Sequence, residues 1–124
     1  MKSTKEIVKP FKKFLKNLNY KKIDNGGLNP TIYLFQKWGY RVEKNYYGFD
    51  LGNVPFRWAQ IIDDFLIELE KAAPNFKIQQ IKLKYGKLKF YVDLVDFSDS
   101  KKCTIINNQI DELEKVLFHK DLIY

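Results

Sequence analysis

Lys5, Lys9, Lys12, Lys13 and Lys16 recur at intervals of three and four residues. At about 100° per residue, that spacing gathers their ammonium groups, with that of Lys2, within roughly a third of a helical turn. Ile7, Phe11, Phe14, Leu15 and Leu18 fall on the opposite side. A row of this kind can neutralise a polyanion, since lysines meet phosphates as point charges without reading bases. A second set, Lys82 and Lys84 before Gly86 and Lys87, Lys89 and Tyr91 after it, alternates with apolar residues on each side of that glycine. In a strand, such alternation means one face. There the lysines would stand beside a ring able to stack on an unpaired base. Arg41 and Arg57 are the only arginines, so bidentate reading of guanine is poorly provided. Both sets also have a plainer reading as solvated surface, with edge-strand lysines blocking aggregation.

Residues for bond-breaking chemistry are fewer. Asp99-Ser100-Lys101 has the acid-x-Lys spacing of a metal-dependent nuclease core, and Asp93 and Asp96 lie nearby as oxygen donors for a hard cation. The triplet falls in a loop, however, where a turn or a helix cap is the simpler role. Cys103 and His119 stand at opposite ends of the last helical segment, about 24 Å apart at 1.5 Å per residue, too far for a nucleophile and its base. Asp63 and Asp64 project about 100° apart on a helix and do not readily share a proton or a metal. No phosphate-cradling glycine loop and no His-Glu-x-x-His pattern occurs. The expectation is a non-enzymatic binding protein with no catalytic residue, no metal and no cofactor.

Charge is distributed unevenly. The first 22 residues hold eight lysines, Lys21 and Lys22 among them, against the single acid Glu6, which equals the whole net charge of +7. The rest of the chain balances at zero. A one-sided positive field attracts an anionic partner, either nucleic acid or an acidic protein surface. An interfacial helix on a membrane shares this pattern. In a domain this small, though, the apolar side is expected to cover a sheet.

The 124 residues suit one domain, 1–124, with 45% apolar and 16% aromatic residues to build its core. The single Cys103 excludes an internal disulfide and suits a reducing compartment. No secretory h-region follows the basic start, and no stretch approaches the roughly 18 apolar residues of a membrane span. A cytoplasmic protein is expected. Its oligomeric state stays open.

The elements that must position these residues follow from periodicity. Ser3 and Glu6 form a capping box for a basic amphipathic helix within residues 1–22, running from about Thr4 to Leu18. Pro10 is expected to bend it or to begin a second, shorter helix. Asn25-Gly26-Gly27 reads as a turn. Asn29-Pro30 starts a helix in which Ile32, Phe35 and Trp38 repeat at threes and Gly39 is the stop. Residues 40–51 suggest a short strand followed by loop. Their rings exceed what one core needs, which allows an interface, although burial is the commoner fate.

Val54-Pro55 opens the clearest helix, with Trp58, Ile61, Ile62, Phe65, Leu66 and Leu69 as its apolar face, Asp63, Asp64, Glu68 and Glu70 mostly off it, and Pro74 as its end. Within residues 78–95, Ile81, Leu83 and Tyr85 and then Leu88, Phe90, Val92 and Leu94 alternate with polar residues about Gly86, the pattern of a β-hairpin. Ile106, Ile110, Leu113 and Leu117 stripe a last helix from about Thr104 to Phe118. The fold class is α+β, with helices packed on one face of a short antiparallel sheet.

Residues 54–93 resemble a family of small uncharacterised proteins of bacteriophages and prophages. That family pairs a Gly-Trp-x-x-Leu-Ile-Asp-x-Leu helix with a strand reading roughly Val-Lys-Glu-Lys-Phe-Gly-Gly-Leu-Arg-Phe-Tyr. Here the helix is Trp58-Ala59-Gln60-Ile61-Ile62-Asp63-Asp64-Phe65. The strand is Ile81-Lys82-Leu83-Lys84-Tyr85-Gly86-Lys87-Leu88-Lys89-Phe90-Tyr91-Val92. Lys87 stands where the family has a second glycine. The family's terminal Cys-x-x-Cys is absent, so no zinc role carries over. The resemblance implies a mobile-element origin and a bacterial host cytoplasm, and it brings no activity with it.

Two functions compete. One is an accessory protein that engages nucleic acid through its lysine faces. The other is a factor that binds and modulates, for example inhibits, a host or defence-system protein. The outcome turns on geometry. If the helix and the hairpin point their lysines the same way, the chain has one continuous basic surface. If they point apart, the helix lysines are mostly a solvated face.

Overall fold

The computed structural model describes residues 3–18 and 29–121, the last four of these as backbone only. Lys2, Lys21, Lys22 and the Asn25-Gly26-Gly27 turn lie outside the described residues. Helix α1 spans Thr4–Lys16, α2 Pro30–Trp38, α3 Phe56–Ala72 and α4 Ser100–Asp121. Strand β1 is Gly48–Asp50, β2 Lys77–Lys84 and β3 Lys87–Asp93. The fold is α+β.

The sheet has the order β1-β2-β3 and is mixed. β2 and β3 form the expected antiparallel hairpin, but β1 joins β2 in parallel, pairing Phe49 with Ile81. The purely antiparallel sheet is thereby corrected. A parallel neighbour needs a crossover, and α3 supplies it between β1 and β2. The order within residues 40–51 is also reversed. A 3₁₀ turn over Gly39–Arg41 and a loop come first, and the strand follows. Gly48 is required at the start of β1. Its φ is +76°, and a side-chain carbon there would lie 2.9 Å from both Phe35 and Val42.

α3 forms as its spacing requires. Trp58, Ile61, Ile62, Phe65, Leu66 and Leu69 are all buried, and Ala73 caps the helix before Pro74. The stripe of α4 is buried as well, at Ile106, Ile110, Leu113 and Leu117. Its length exceeds the apolar stripe because Asp99 caps it, accepting a hydrogen bond from the Lys101 N–H at 2.9 Å. In α2 the buried positions are Pro30, Leu34 and Trp38, while Ile32 and Phe35 are exposed. Spacing at fours, not threes, marks its inner face. Asn29 caps it as expected. Gly39 ends it with right-handed backbone, and the chain tightens into the 3₁₀ turn without reversing.

α1 runs unbroken through Pro10. Pro10 is exposed on its surface, where water can serve the carbonyl of Glu6 that loses its usual partner. Ser3 accepts from the Glu6 N–H at 3.3 Å, which fixes the start of the helix. Ile7 and Phe11 are buried, and Phe11 and Phe14 both meet the ring of Phe65, at 5.4 and 5.9 Å between centroids. The apolar side of α1 is therefore spent on the core, as expected, and not turned outward to a membrane. No helix among the described residues is long and apolar enough to cross one.

Phe65 also meets Phe90 of β3 at 5.7 Å, so this one ring joins α1 to the inner face of the sheet. α4 lies beside β3, whose outer edge would otherwise be open. The Glu114 carboxylate accepts the Phe90 N–H at 2.8 Å and closes that edge.

Candidate nucleic-acid interface

The five lysines of α1, Lys5, Lys9, Lys12, Lys13 and Lys16, are all exposed. Together they line one open groove of about 750 Å³ that runs along α1 toward α4. Val8 and Ile105 give it an apolar floor. None of the five forms an ion pair among the described residues. Of the acids that flank the row, Glu68 holds Lys71 at 3.3 Å and Glu112 holds Lys115 at 3.6 Å, while Asp111 stands exposed on the α4 flank near Lys12. Asp64, on the α3 flank, is exposed, and its pKa is raised by partial desolvation and then by the neighbouring Asp63 charge. The lysines were legible from spacing, but the floor was not. Val8 sits among lysines on the polar side of α1, and Ile105 lies one position off the α4 stripe. Two apolar residues on otherwise wet arcs were the available signal.

The hairpin places its own residues as read. Lys82 pairs with Lys89 and Lys84 with Lys87 across the strands, and Tyr91 stands opposite Gln80. Ile81, Leu88 and Phe90 are buried on the inner face, with Leu83 and Val92 packed against them. Lys84, Lys87 and Tyr91 are exposed on the outer face, and Lys82 and Lys89 are half-buried there by their stems. The Lys82 ammonium lies 5.9 Å from the centre of the Tyr91 ring. An irregularity in register at Gln79 lets both Ile78 and Ile81 point inward, although three residues separate them. Tyr85 is corrected. It belongs to the turn and not to the apolar alternation, with φ of 53°, followed by Gly86 at 75°. It is 91% exposed.

The two lysine sets do not meet. The hairpin lysines cover the face of the sheet that turns away from the helices. The lysines of α1 cover the outer side of a helix that packs through Phe11 and Phe65 onto the other face. The reason is the sheet's alternation: the face opposite its lysines is the one that α1 helps to cover. The two sets therefore lie on opposite sides of the sheet, which by itself would leave the α1 lysines a solvated face; what sets them apart is that all five line one groove with an apolar floor.

Asp63 was placed off the apolar face of α3, but it is buried. Its Oδ1 accepts from Trp38 Nε1 at 2.8 Å, and its Oδ2 accepts from Lys37 Nζ at 2.6 Å and the Tyr33 hydroxyl at 3.1 Å. This pins α2 to α3. The hydrogen bond to Asp63 raises the Lys37 pKa, while burial, followed by that same contact, raises the Tyr33 pKa. Both carboxylate oxygens are satisfied, which suits a structural clamp. Arg41 plays a similar part, donating to Glu70 at 2.5 Å and to the Phe76 carbonyl at 3.0 Å. Tyr40 donates to the same glutamate at 3.1 Å yet is exposed, as are Tyr46 and Tyr47. The aromatic stretch is therefore largely a surface, and Phe49 is the ring that enters the core.

The nuclease-like acids are dispersed. Asp99 caps α4, and Asp96 accepts two bonds from Asn75, each at 2.7 Å. Asp93 ends β3 opposite Lys77. No group of three His, Cys, Asp or Glu residues suited to a metal occurs among the described residues. Cys103 is half-buried near the Phe97 carbonyl, and the unbroken α4 keeps it about 24 Å along the axis from position 119. Comparison with protein-family models, curated proteins and solved structures finds no match for the chain.

Proposed function

We propose that this chain binds nucleic acid, gripping the phosphate backbone in the lysine groove of α1. One observation carries the reading: five lysines share one groove without a carboxylate partner. Lys5–Lys9, Lys9–Lys13 and Lys12–Lys16 are like-charged pairs at i,i+4, each of which costs the helix about 0.2–0.5 kcal/mol. A helix needing only solubility gains from alternating signs instead. The repulsion is relieved when a polyanion lies along the row. Lysines without arginine forks would hold the backbone with little base preference. The phage-like pattern of residues 54–93 is consistent with an accessory role.

Five phosphate contacts set a salt dependence. Affinity for a fluorescent dT strand should fall about 100-fold between about 50 and 200 mM salt. Lys9→Glu/Lys13→Glu should weaken binding and flatten that dependence by about 1.4 in log–log slope. Absence of binding near ~20 mM salt, where screening is slight, overturns the reading.

A further inference from the structure

We infer that one copy of this protein holds two nucleic-acid segments at once, one in the α1 groove and a single strand on the open face of the hairpin. This inference rests on the binding reading above and extends it to a second, separate site. The hairpin face has the parts a single strand requires. Lys82, Lys84, Lys87 and Lys89 stand in two cross-strand pairs, so their charge forms a compact block and not a line. Tyr91 is exposed at the end of this block with the Lys82 ammonium beside its ring. A base stacked on Tyr91 would bring its phosphates among the lysines. An acidic protein surface offers charge to this face but nothing for the ring, so a nucleic-acid strand is the better complement.

Geometry keeps the two sites independent. The groove lies on the helix side of the molecule and the hairpin face on the other. A helix with its side chains is about 10–12 Å across, so at least that thickness separates the bound segments. The Debye length at 0.15 M salt is about 8 Å, so their mutual repulsion is largely screened. The sites are also too far around the molecule for one short oligonucleotide to fill both. A short strand occupies one site, and a second strand takes the other.

The test is co-capture. A biotinylated dT strand of about 6 nucleotides, roughly 20–35 Å long and so too short to reach around a domain of this size, is immobilised, and a fluorescent dT strand of equal length is offered with native protein. The two strands cannot pair, so fluorescence on the beads reports bridging, while binding of either strand alone is read by anisotropy. Native protein should bridge. Lys82→Glu/Lys89→Glu should lose at least tenfold of the bridged signal while single-strand affinity changes by less than about threefold. Tyr91→Ala should reduce bridging in the same direction, and circular dichroism confirms the fold of each variant. Strong anisotropy binding without co-capture overturns the two-site inference and leaves the groove reading standing. Bridging by the hairpin variant at the native level also overturns it, because a dimer offering two grooves would then be the bridge. No anisotropy binding at all overturns both.

Discussion

At the residue scale the decisive side chain is Asp63. It is buried and its carboxylate accepts three donors, of which the Trp38 indole N–H is fully enclosed. Removing the carboxylate leaves that N–H without a partner, at a cost of about 1–3 kcal/mol. It also releases Lys37, which is half exposed and loses little by returning to water. Asp63→Ala should therefore lower unfolding free energy by about 2–3 kcal/mol in urea titration. Asp63→Asn, which keeps one acceptor, should lose less. An unchanged midpoint would show that water replaces the carboxylate. The clamp was hidden in the sequence for a physical reason. Helical periodicity sorts residues by hydropathy, and an aspartate beside the apolar arc of α3 is assigned outward unless its donors are known. Those donors sit about 25–30 residues earlier, on an element whose inner face was itself misread. In α2 the repeat Ile32, Phe35, Trp38 is as regular as Pro30, Leu34, Trp38, and only packing against α3 selects the second.

At the element scale the hairpin was the most legible part and its turn the least. Alternation of polar and apolar residues fixed both faces of β2 and β3, because a one-residue slip would bury the lysines. It also drew Tyr85 into the strand. The chain instead places Tyr85 and Gly86 at the two central positions of a two-residue turn, both with positive φ. That is the geometry of a type I′ turn, in which Asn-Gly is the favoured pair. A bulky residue in left-handed backbone is strained, and the ring recovers nothing from burial. Tyr85→Asn should raise stability by about 0.5–1 kcal/mol, visible as a higher denaturant midpoint with an unchanged slope. Lower stability would mean that the Lys84 contact with the Tyr85 ring, at 5.8 Å, matters more than the backbone. β1 was legible only as a short strand somewhere in residues 40–51; its place after the loop and its parallel pairing were not, for another reason. Three residues carry no period, and a parallel strand is specified by its partner and crossover more than by its own pattern.

At the scale of the whole molecule, charge and stability are set against each other. The net charge of +7 is concentrated at the start of the chain, and in the described part it is stacked along α1. The same helix contributes Ile7 and Phe11 to the core, so the lysines cannot be relieved by letting α1 detach without exposing buried rings. The free protein thus carries a repulsion that the proposed polyanion partner would relieve. Two consequences separate a binding face from a merely solvated one. First, Lys9→Gln/Lys13→Gln should make the free protein more stable, by about 0.5–1.5 kcal/mol, because four like-charged neighbours at i,i+3 and i,i+4 are lost against one opposite-charged neighbour, Glu6. Second, an oligonucleotide at about 100 times its Kd should stabilise native protein by about 2.7 kcal/mol. For a chain of this size that is a rise in Tm of about 10 °C. The double variant should begin with the higher Tm and gain the smaller increment, so the two melting curves cross as oligonucleotide is added. Parallel curves would mean that α1 repels itself without holding anything, and a native Tm that does not move would mean that the groove stays empty.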